Sequence, residues 1–379
     1  MKKNHYGMKT YLLLLLTLLY TLSLPAQSHP EPVTLSIGAP APAFSLKGTD
    51  GKTYTLNSFA DAKVLAVIFS CNHCPTAQAY EERIKQLVKD YAARQVAVVV
   101  ISPNSPGAVN LGELGYTEMG DTYEEMQLRA EQHGFNFPYL YDGDDQQVSI
   151  AYGPVATPHA FVFDEARKLR YTGRLDSREK PGTGQAEDIR SAIDALLQQK
   201  EVAHPVQKTF GCSIKWAWKD EWNKKINAEW AQRPVTLDTL DAAGVKELVS
   251  NSGSKLRLIN IWATWCGPCI QELPEFVNTD RMYRERDFEF ITITTDNPDK
   301  KDKALAMLKK LEASNRNYLY SGADKYQLIE AVDPDWQGAL PYTLLVEPGG
   351  RVVFRRQGAV NMLELRKAIV EHKLMGRYY

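Results

Sequence analysis

The sequence predicts an α/β protein built from two similar units in tandem. Two observations lead to this class. A short apolar run that enters a Cys-x-x-Cys segment and continues into a helical pattern occurs twice, at Cys71–Cys74 and at Cys266–Cys269. Later in each unit a proline stands at the entrance of an apolar run, at Pro158 and at Pro341. A chain of 379 residues is long enough for two or three domains.

The composition is that of a globular protein and argues against some partners. Apolar residues make up 44% of the chain and charged residues 24%. The formal net charge is −1, and the charges of either sign are not gathered into a long block. We therefore expect no nucleic-acid partner and no attraction to an acidic membrane surface.

The N-terminus has the pattern of a targeting segment. Lysines precede an apolar run from Tyr11 to Leu24, and small residues follow at Ala26 and Ser28. This pattern predicts a signal peptide over residues 1–28, cleaved after Ala26 or Ser28. The run is shorter than the roughly 20 residues of a membrane span, so we expect no span after cleavage and a periplasmic or secreted protein. An uncleaved N-terminal anchor is the alternative.

The first unit alternates strand and helix patterns. Asp50-Gly51, between alternating residues, predicts a hairpin turn. Continuous apolar runs predict buried strands, and apolar residues at helical spacing predict helices. The other predicted elements are strands at 64–69, 96–101 and 168–173 and helices at 76–93, 122–132 and 186–199.

The second unit repeats this alternation after a Trp-rich connector. Four of the seven tryptophans lie in the connector, too many for a flexible linker, so we expect them to pack over a domain surface. Pro274 lies past the first turn of a predicted helix, which should kink there. The predicted elements are helices at 220–232, 235–249, 270–283, 302–311 and 362–372, strands at 256–262 and 288–294, and a hairpin turn at 348–350.

Cys266 has the sequence context of a reactive cysteine. It stands where a predicted helix starts, next to backbone N–H groups that lack intrahelical partners and to the positive end of the helix dipole. Both favour the thiolate, the reactive form of sulfur. With Cys269 it is predicted to carry two electrons by thiol–disulfide exchange. A structural disulfide or half of a zinc site is the alternative, although zinc would need further ligands at suitable spacing.

Both units resemble known families. The residues Trp262 to Cys269 strongly resemble the thioredoxin active site. The opening Gly38 to Leu46, the hairpin and the segment Ser-Cys-Asn-His-Cys-Pro resemble the AhpC/TSA (redoxin) family. The resemblance implies two tandem thioredoxin-like folds, each a three-layer α/β/α arrangement with a mixed central sheet. The implied domains are the signal peptide 1–28, a redoxin domain 35–200, the connector 201–233 and a thioredoxin domain 234–379.

The resemblance also implies which residues form the two sites. In thioredoxin-like folds the proline at the strand entrance is cis and packs against the cysteine pair. The residue before it offers backbone groups to a substrate chain, although Thr157-Pro158 could also be an ordinary turn. The implied catalytic residues are Cys71, Cys74, Cys266, Cys269, Glu272, His73, Pro158 and Pro341, and the implied substrate-binding residues are Thr157, Leu340 and Trp265.

Two of these residues are expected to tune the sulfur chemistry. His73 lies between two sulfurs and, when protonated, would stabilise a thiolate at Cys71. Periplasmic oxidants of this fold also carry His just before the second Cys, which implies that Cys71–Cys74 is the more oxidising disulfide. Extracytoplasmic cytochrome-maturation thioredoxins carry Glu six residues after the first Cys, here Glu272, where it could take the proton of Cys269. An exposed loop position for His73 and a solvent-facing position for Glu272 are the alternatives.

A fifth cysteine, Cys212, lies in a Gly-Cys-Ser-Ile-Lys-Trp segment. Redoxins of this type often end in such a tail, so Cys212 is assigned to the terminus of the first domain. A buried structural thiol is expected there, and a resolving thiol is the alternative.

These observations favour an exported thiol–disulfide oxidoreductase that acts on protein thiols and disulfides with an unidentified extracytoplasmic electron donor or acceptor. We expect no cofactor beyond the redox-active disulfides Cys71–Cys74 and Cys266–Cys269, and no resident metal. A peroxiredoxin-like peroxide reductase recharged by its own thioredoxin domain is an alternative. Peroxidase members carry Pro and Thr seven and three residues before the reactive Cys, where this chain has Val64 and Ile68. A further alternative is a copper carrier in which His159 joins the first cysteine pair.

Overall fold

The computed structural model describes residues 31–377. The predicted signal peptide 1–28 therefore lies outside the described residues. Within them, no helix combines the length and the apolar character that crossing a bilayer requires. From Val33 onward the chain forms one compact unit, which contains both of the sheets described below.

The first half of the described chain forms a seven-stranded sheet. Its strands are β1 (Ser45–Gly48), β2 (Thr53–Thr55), β3 (Val64–Phe69), β4 (Val96–Ser102), β5 (Tyr139–Tyr141), β6 (His159–Phe163) and β7 (Leu169–Gly173). Its α-helices are α1 (Pro75–Tyr91), α2 (Tyr123–Gln132), α3 (Gln147–Tyr152) and α4 (Glu187–Leu197). Short 3₁₀ helices lie at Leu56–Phe59, Pro106–Ala108 and Leu111–Leu114.

Strand β3 lies inside this sheet, whose strand order is β2-β1-β5-β4-β3-β6-β7. All of its residues are buried, as its continuous apolar run predicts. It pairs in parallel with β4, where Val64 lies opposite Val96, and antiparallel with β6, where Phe69 lies opposite His159. The sheet is therefore mixed, as the resemblance implies.

Helices cover both faces of the first sheet. Because side chains alternate along a strand, Ala66 of β3 belongs to one apolar core and Leu65 to another. The first core includes Leu87 of α1 and Ile193 of α4, and the second includes Tyr152 of α3. The result is the three-layer α/β/α arrangement that the fold class predicts.

The second half forms a six-stranded sheet after the connector helix. The connector contains a 3₁₀ helix, Ala217–Lys219, and α5 (Asp220–Ala231). The helices that follow are α6 (Ala242–Ser250), α7 (Gly267–Tyr283), α8 (Lys301–Lys310), α9 (Lys325–Val332) and α10 (Met362–Val370), with a 3₁₀ helix at Pro298–Lys300. The strands are β8 (Asp238–Leu240), β9 (Leu256–Trp262), β10 (Phe288–Thr294), β11 (Arg316–Tyr320), β12 (Tyr342–Val346) and β13 (Val352–Gln357).

Strand β9 is the counterpart of β3 in the second sheet, whose order is β13-β12-β9-β10-β11-β8. It is fully buried, pairs in parallel with β10 and antiparallel with β12. Leu258 of β9 packs in one core with Phe276 of α7 and Ile369 of α10, and Ile259 packs in another with Val245 of α6. This sheet is also mixed and covered on both faces.

The structure differs from the predictions mainly at short elements. The helix expected at 235–249 is wrong over its first part, because β8 lies there and α6 begins only at Ala242. Strand β8 pairs with β11, which is itself missing from the predictions, as are α3 and α9. Elements of three to eight residues carry too few positions to show a clear period, so their formation depends on tertiary partners.

Three of the four connector tryptophans pack against the protein surface as predicted. Trp216 is buried and stacks on Trp218, with ring centroids 4.9 Å apart. Trp230 is also buried, and the guanidinium carbon of Arg284 lies 4.3 Å from its ring centroid. The prediction is wrong for Trp222, which is 63% exposed.

The two halves meet at a loop of the first half, residues 103–122, which we call the bridging loop. Leu114 from this loop belongs to an apolar core of the second half. The hydroxyl of Tyr283, the last residue of α7, donates to the Thr117 carbonyl at 2.7 Å. Glu118, buried in the loop, forms an ion pair with Arg377 at 2.8 Å. The bridging loop thus holds the C-terminal end of α7.

Candidate active sites

The second half places its cysteine pair at the N-terminus of α7. Cys266 is the N-cap residue, and its sulfur accepts a hydrogen bond from the Cys269 N–H at 3.4 Å. The two residues form a disulfide in the structure. Cys266 is the more exposed partner, at 6% against 1% for Cys269. The predicted helix-start position of Cys266 is confirmed, and the N–H groups there can stabilise its thiolate after reduction.

Trp265 and Leu340 flank this disulfide. Trp265 precedes Cys266 in the chain and is 69% exposed, so it offers apolar surface to an incoming chain. Leu340 packs against the apolar cluster that contains both cysteines. The peptide bond between Leu340 and Pro341 has the predicted cis geometry, and Pro341 leads into β12. The structure thus brings Leu340 to the cysteines and leaves Trp265 open to a partner.

Glu272 lies one turn after Cys269 on α7 and is buried. Its carboxylate accepts hydrogen bonds from the Val360 N–H at 3.0 Å and from the Asn260 amide at 3.5 Å. Burial raises the pKa of Glu272, although these two hydrogen bonds act in the opposite direction. The alternative of a solvent-facing Glu272 is wrong. A buried carboxyl group with a raised pKa, on the same side of the helix as Cys269, is suited to exchanging a proton.

The first half places its cysteine pair differently relative to its helix. Helix α1 begins at Pro75, and its N-cap residue is Cys74, the second cysteine of the pair. The Cys74 sulfur accepts a hydrogen bond from the Ala77 N–H at 3.4 Å. In the second half the N-cap is Cys266, the first cysteine. The N–H groups that stabilise a thiolate therefore point at opposite members of the two pairs.

His73 is buried and forms an ion pair with Asp121, with 2.5 Å between Nδ1 and Oδ2. Asp121 also accepts hydrogen bonds from the Asn72 N–H at 2.8 Å and from the Asn104 amide at 2.8 Å. Burial lowers the pKa of His73, but the charge of Asp121 and its hydrogen bond outweigh this and raise it. The alternative of an exposed His73 is wrong, because the imidazole is buried and paired with Asp121.

These surroundings shift the pKa values of the two thiols in opposite directions. Burial raises the pKa of Cys71, and a hydrogen bond with Cys74 and the charge of Asp121 raise it further. Burial would also raise the pKa of Cys74, but hydrogen bonds from two other thiols, a helix N–H group and the His73 cation hold it well below its usual value. The Ala77 N–H at the start of α1 thus favours a thiolate at Cys74. A potential ligand atom of His73 also lies within 4.8 Å of the Cys71 sulfur, so an effect of His73 on Cys71 stays a prediction.

Thr157 contacts both sulfurs of the first site. Its hydroxyl lies 3.2 Å from Cys71 Sγ, and its carbonyl accepts a hydrogen bond from Cys74 Sγ at 3.4 Å. The Thr157–Pro158 peptide bond has the predicted cis geometry. The N–H of Thr157, predicted to bind a substrate chain, donates instead to the carbonyl of Cys212 at 2.9 Å. This backbone position is thus occupied by the protein's own tail.

Cys212 lies next to this pair. Its thiol forms a hydrogen bond with Cys74, and that bond together with burial raises the pKa of Cys212. It packs against the cluster of Cys71, Cys74 and Ala77. Cys212 is half-buried, whereas the other two cysteines are buried. Cys212 is therefore less buried than expected, and it is the most accessible of the three sulfurs.

The first site also contains three side chains of metal-ligand type. Potential ligand atoms of Cys71, His73 and Asp121 all lie within 4.8 Å of one another. The oxygens of Asp121 already accept hydrogen bonds from His73, Asn104 and backbone N–H groups, with which a metal ion would have to compete. His159, which the copper-carrier alternative adds, accepts from a backbone N–H through Nδ1 and lies 3.0 Å from a threonine hydroxyl through Nε2. These contacts favour a hydrogen-bonded ion pair.

Sequence reasoning missed Asp121 and Asn104. Asp121 precedes Thr122, which caps α2, so its surroundings in the sequence indicate only a helix start. Asn104 follows β4, donates to Asp121 and accepts a hydrogen bond from the Lys215 N–H at 2.9 Å. One signal was available for Asn104, because sites in α/β sheets form beyond the carboxyl ends of parallel strands. The pairing of Asp121 with His73 had no such signal.

Comparison with known proteins identifies both halves. The model of the AhpC/TSA family matches residues 37–172, and the model of the Redoxin family matches residues 233–369. Among solved structures, an uncharacterized conserved protein from Geobacillus kaustophilus is 35% identical and aligns over 52% of this chain and 98% of its own, with a TM-score of 0.43.

Relatives with assigned names are also similar to this chain. The thiol-disulfide oxidoreductase ResA of Geobacillus thermodenitrificans (strain NG80-2) is 24% identical over 197 residues, which are 52% of this chain and 98% of the relative. The thioredoxin of Ophiophagus hannah is 34% identical over 91 residues, which are 22% of this chain and 83% of the relative. With the two family matches, these similarities show that the chain belongs to the thioredoxin family of oxidoreductases and contains two tandem thioredoxin-like domains.

Proposed function

We propose that the protein is an exported thiol–disulfide oxidoreductase that exchanges disulfides with protein substrates at both of its Cys-x-x-Cys sites. The observation that best supports this is that each half sets a cysteine as the N-cap of the helix after its central strand, Cys74 on α1 and Cys266 on α7. At that position a thiolate is stabilised without any cofactor. Export is supported by the signal-peptide pattern over residues 1–28.

At the second site the roles follow from exposure and burial. In the reductive direction the Cys266 thiolate attacks a substrate disulfide, and one substrate sulfur leaves as a thiolate. Cys269 then attacks Cys266 Sγ, which re-forms the protein disulfide and releases the second substrate sulfur. Glu272 takes the proton of Cys269, since it is a buried carboxyl group one turn away. Trp265 and Leu340 contact the substrate chain around the reacting sulfur.

At the first site the attacking sulfur is Cys74, and Cys71 is its disulfide partner. A thiolate held by a helix N-terminus and the His73 cation stabilises the reduced form of this pair, which makes its disulfide the stronger oxidant of the two. Contacts between the halves lie at Tyr283, about 24 Å along α7 from its first turn at 1.5 Å per residue. Electron transfer from Cys266–Cys269 to Cys71–Cys74 would therefore use a mobile partner.

Reduction of a protein disulfide such as that of insulin, with dithiothreitol as electron source, tests this function. We expect turnover with the wild type, a partial loss with Cys266→Ser or Cys74→Ser, and complete loss in the double variant. Absence of turnover in the wild type would refute the function. Cys269→Ser, which leaves mixed disulfides at Cys266 unresolved, would trap the substrates. N-terminal sequencing of the protein from its own cells tests export, which predicts a mature chain that starts after residue 26 or 28.

Peroxide reduction at the first site is a second candidate, supported by the AhpC/TSA match and by the thiolate surroundings of Cys74. Counted back from Cys74, the positions of the peroxidase Pro and Thr hold Val67 and Cys71, so the departure from the peroxidase pattern remains. Peroxide-dependent consumption of dithiothreitol that disappears in Cys74→Ser would support this activity. A wild type without such consumption would exclude it.

A further inference from the structure

The tail that carries Cys212 lies against the first site as a substrate chain would. Cys212 and Thr157 form an antiparallel bridge, in which the Thr157 N–H donates to the Cys212 carbonyl at 2.9 Å. Gly211 has a φ of +137°, and a Cβ added there would lie 2.0 Å from the Thr157 carbonyl oxygen. This backbone approach therefore requires glycine. The peptide group beside Pro158 thus binds an extended segment of the same chain.

The tail is also fixed on the C-terminal side of Cys212. The Lys215 N–H donates to the Asn104 side chain at 2.9 Å, and the Lys215 carbonyl accepts from the Gln146 amide at 2.9 Å. Trp216 is 3% exposed. Because Asn104 also donates to Asp121, the partner of His73, the tail and the ion pair share one hydrogen-bond network. Cys212 is therefore held in a defined position.

Three sulfurs meet at this point. Cys212 packs against the cluster that Cys71, Cys74 and Ala77 form. Cys71 is 2% exposed and Cys74 is 0% exposed, whereas Cys212 is half-buried. An external thiol that approaches the first site therefore meets Cys212 before the other two sulfurs.

From this placement we propose that Cys212 is a third redox-active cysteine, which exchanges a disulfide with Cys74 and connects the buried pair to external dithiols. The proposal rests on the proposed function and adds a catalytic residue to its first site. The probe it requires is a dithiol, because two thiols must be oxidised for each protein disulfide that is reduced.

The exchange begins with the oxidised pair. Cys212 loses its proton and attacks Cys74 Sγ, which forms the Cys74–Cys212 disulfide and breaks Cys71–Cys74. Cys71 leaves as a thiolate and takes up a proton. An external thiolate then attacks the accessible Cys212 Sγ, and Cys74 leaves as a thiolate. Since a low-pKa thiol is the better leaving group, attack at Cys212 with release of Cys74 is the favoured direction.

The last step releases the external dithiol in oxidised form. Its second thiolate attacks its own sulfur in the mixed disulfide with Cys212, closes the dithiol into a disulfide and releases Cys212, which regains a proton. In total, two electrons pass from the dithiol to the protein disulfide. The protein ends with three reduced cysteines at the first site, namely Cys71, Cys74 and Cys212.

Peptide mapping of the full chain tests the proposed linkage. Wild type and Cys71→Ser are oxidised with diamide, free thiols are blocked with iodoacetamide, and the digests are analysed by mass spectrometry without reduction. We expect Cys71→Ser to yield Cys74–Cys212 linked peptides as the main product, and the wild type to yield some of the same linkage. Free Cys74 and Cys212 in both proteins after oxidation would overturn the proposal. The wild-type arm keeps the test valid if Cys71→Ser does not fold.

Reduction kinetics give a second, independent readout. Dithiothreitol should reduce the Cys71–Cys74 disulfide at least about tenfold more slowly in Cys212→Ser, while Ser213→Ala, a matched change in the tail, should behave as wild type. Gly211→Ala should slow reduction in the same way, because its Cβ pushes the tail off Thr157. An unchanged rate in Cys212→Ser would overturn the proposal even if insulin turnover supports the general function. If the wild type does not reduce insulin, the proposed function itself is rejected.

Discussion

The Asp121–His73 ion pair should decide which sulfur of the first site is reactive. We predict that Asp121→Asn shifts reactivity away from Cys74. Asparagine keeps the size of the side chain and can accept the backbone N–H bonds, but it no longer stabilises the buried imidazolium. Burial then lowers the pKa of His73 without the opposing charge of Asp121, which weakens the positive charge near Cys74. The same change should lower the pKa of Cys71, because the charge of Asp121 raises it in the wild type.

The size of the effect follows from the contact of opposite charges. A neighbouring opposite charge changes a protonation equilibrium by roughly tenfold to a thousandfold. The lower end applies here, because hydrogen bonds from a helix N–H group and from other thiols remain at Cys74. Alkylation of Cys74 at pH 7 should therefore slow by about tenfold or more, while Cys71 reacts at an equal or higher rate. Loss of one partner of a buried ion pair should also cost about 3 kcal/mol of unfolding free energy.

The assay is iodoacetamide alkylation of the reduced full chain, followed residue by residue with mass spectrometry. Asp176→Asn is the matched control. Asp176 is equally buried, and its carboxylate lies 2.9 Å from the guanidinium of Arg83, so this ion pair does not involve His73. If Cys74 reacts at the same rate in Asp121→Asn and Asp176→Asn, the assignment of the His73 cation is refuted.

The pH dependence of stability has a definite sign. Because the pKa of His73 is raised in the folded protein, protonation of His73 adds to the free energy of unfolding. This contribution is complete below pH 6.5 and is lost as the pH rises through the pKa of His73 in the folded protein. Burial alone would raise the pKa of Asp121, but His73 lowers it. The ionised Asp121 therefore adds to the free energy of unfolding above pH 3.8, and this contribution is lost as the pH falls through the pKa of Asp121 in the folded protein. The difference in unfolding free energy between wild type and Asp121→Asn should therefore be largest between these two pH values and smaller on either side.

Three further substitutions test the second site and the contact between the halves. Glu272→Gln should slow release of substrate from a mixed disulfide by about 100-fold and remove the pH dependence of this step, because the base for the buried thiol is lost. Stopped-flow release rates check this, and Glu275→Gln, whose side chain is 47% exposed on the same helix, should release substrate at the wild-type rate. Trp265→Ala should lower kcat/KM for a protein disulfide about tenfold, because the exposed ring contacts the substrate chain, but it should leave kcat/KM for a small aromatic disulfide unchanged. Trp222→Ala, which removes a similarly exposed ring on the connector, should change neither value. Arg286→Ala should destabilise the chain by about 2–3 kcal/mol in calorimetry, because its guanidinium donates to carbonyls in the bridging loop and near the C-terminus, and a wild-type transition would contradict this.

Long, regular patterns in the sequence carried most of the fold prediction. Strand β3 is a continuous apolar run and β9 a mostly apolar one, and α1, α4 and α7 have apolar residues at helical spacing, so their patterns indicate their type. Strand β8 and helix α3 could not be predicted in this way, since three to six residues show no period and depend on partners distant in the chain. The hydrogen bonds of Asp121 have the same origin, because they join residues far apart in sequence.

The sequence contains a local signal for the different cap positions in the two cysteine pairs. Pro75 directly follows Cys74, which marks Pro75 as the first residue of the helix and Cys74 as its cap. In the second half Pro268 is the second residue of α7, and the cap is Cys266. Similar Cys-x-x-Cys spacing concealed this difference. The position of proline relative to each pair is a physical signal, because proline is favoured in the first turn of a helix and so shows about where each helix begins.

The bridging loop has a practical consequence for work on this protein. One end of this loop supplies Asp121, the carboxylate paired with His73, and its middle supplies Leu114 and Glu118 to the other half. A truncated fragment that ends at the connector would expose this apolar segment to water and loosen the support of the imidazolium. Cysteine reactivities and potentials measured on such fragments would describe an altered environment, so each half should be studied in the intact chain with the opposite pair silenced by serine.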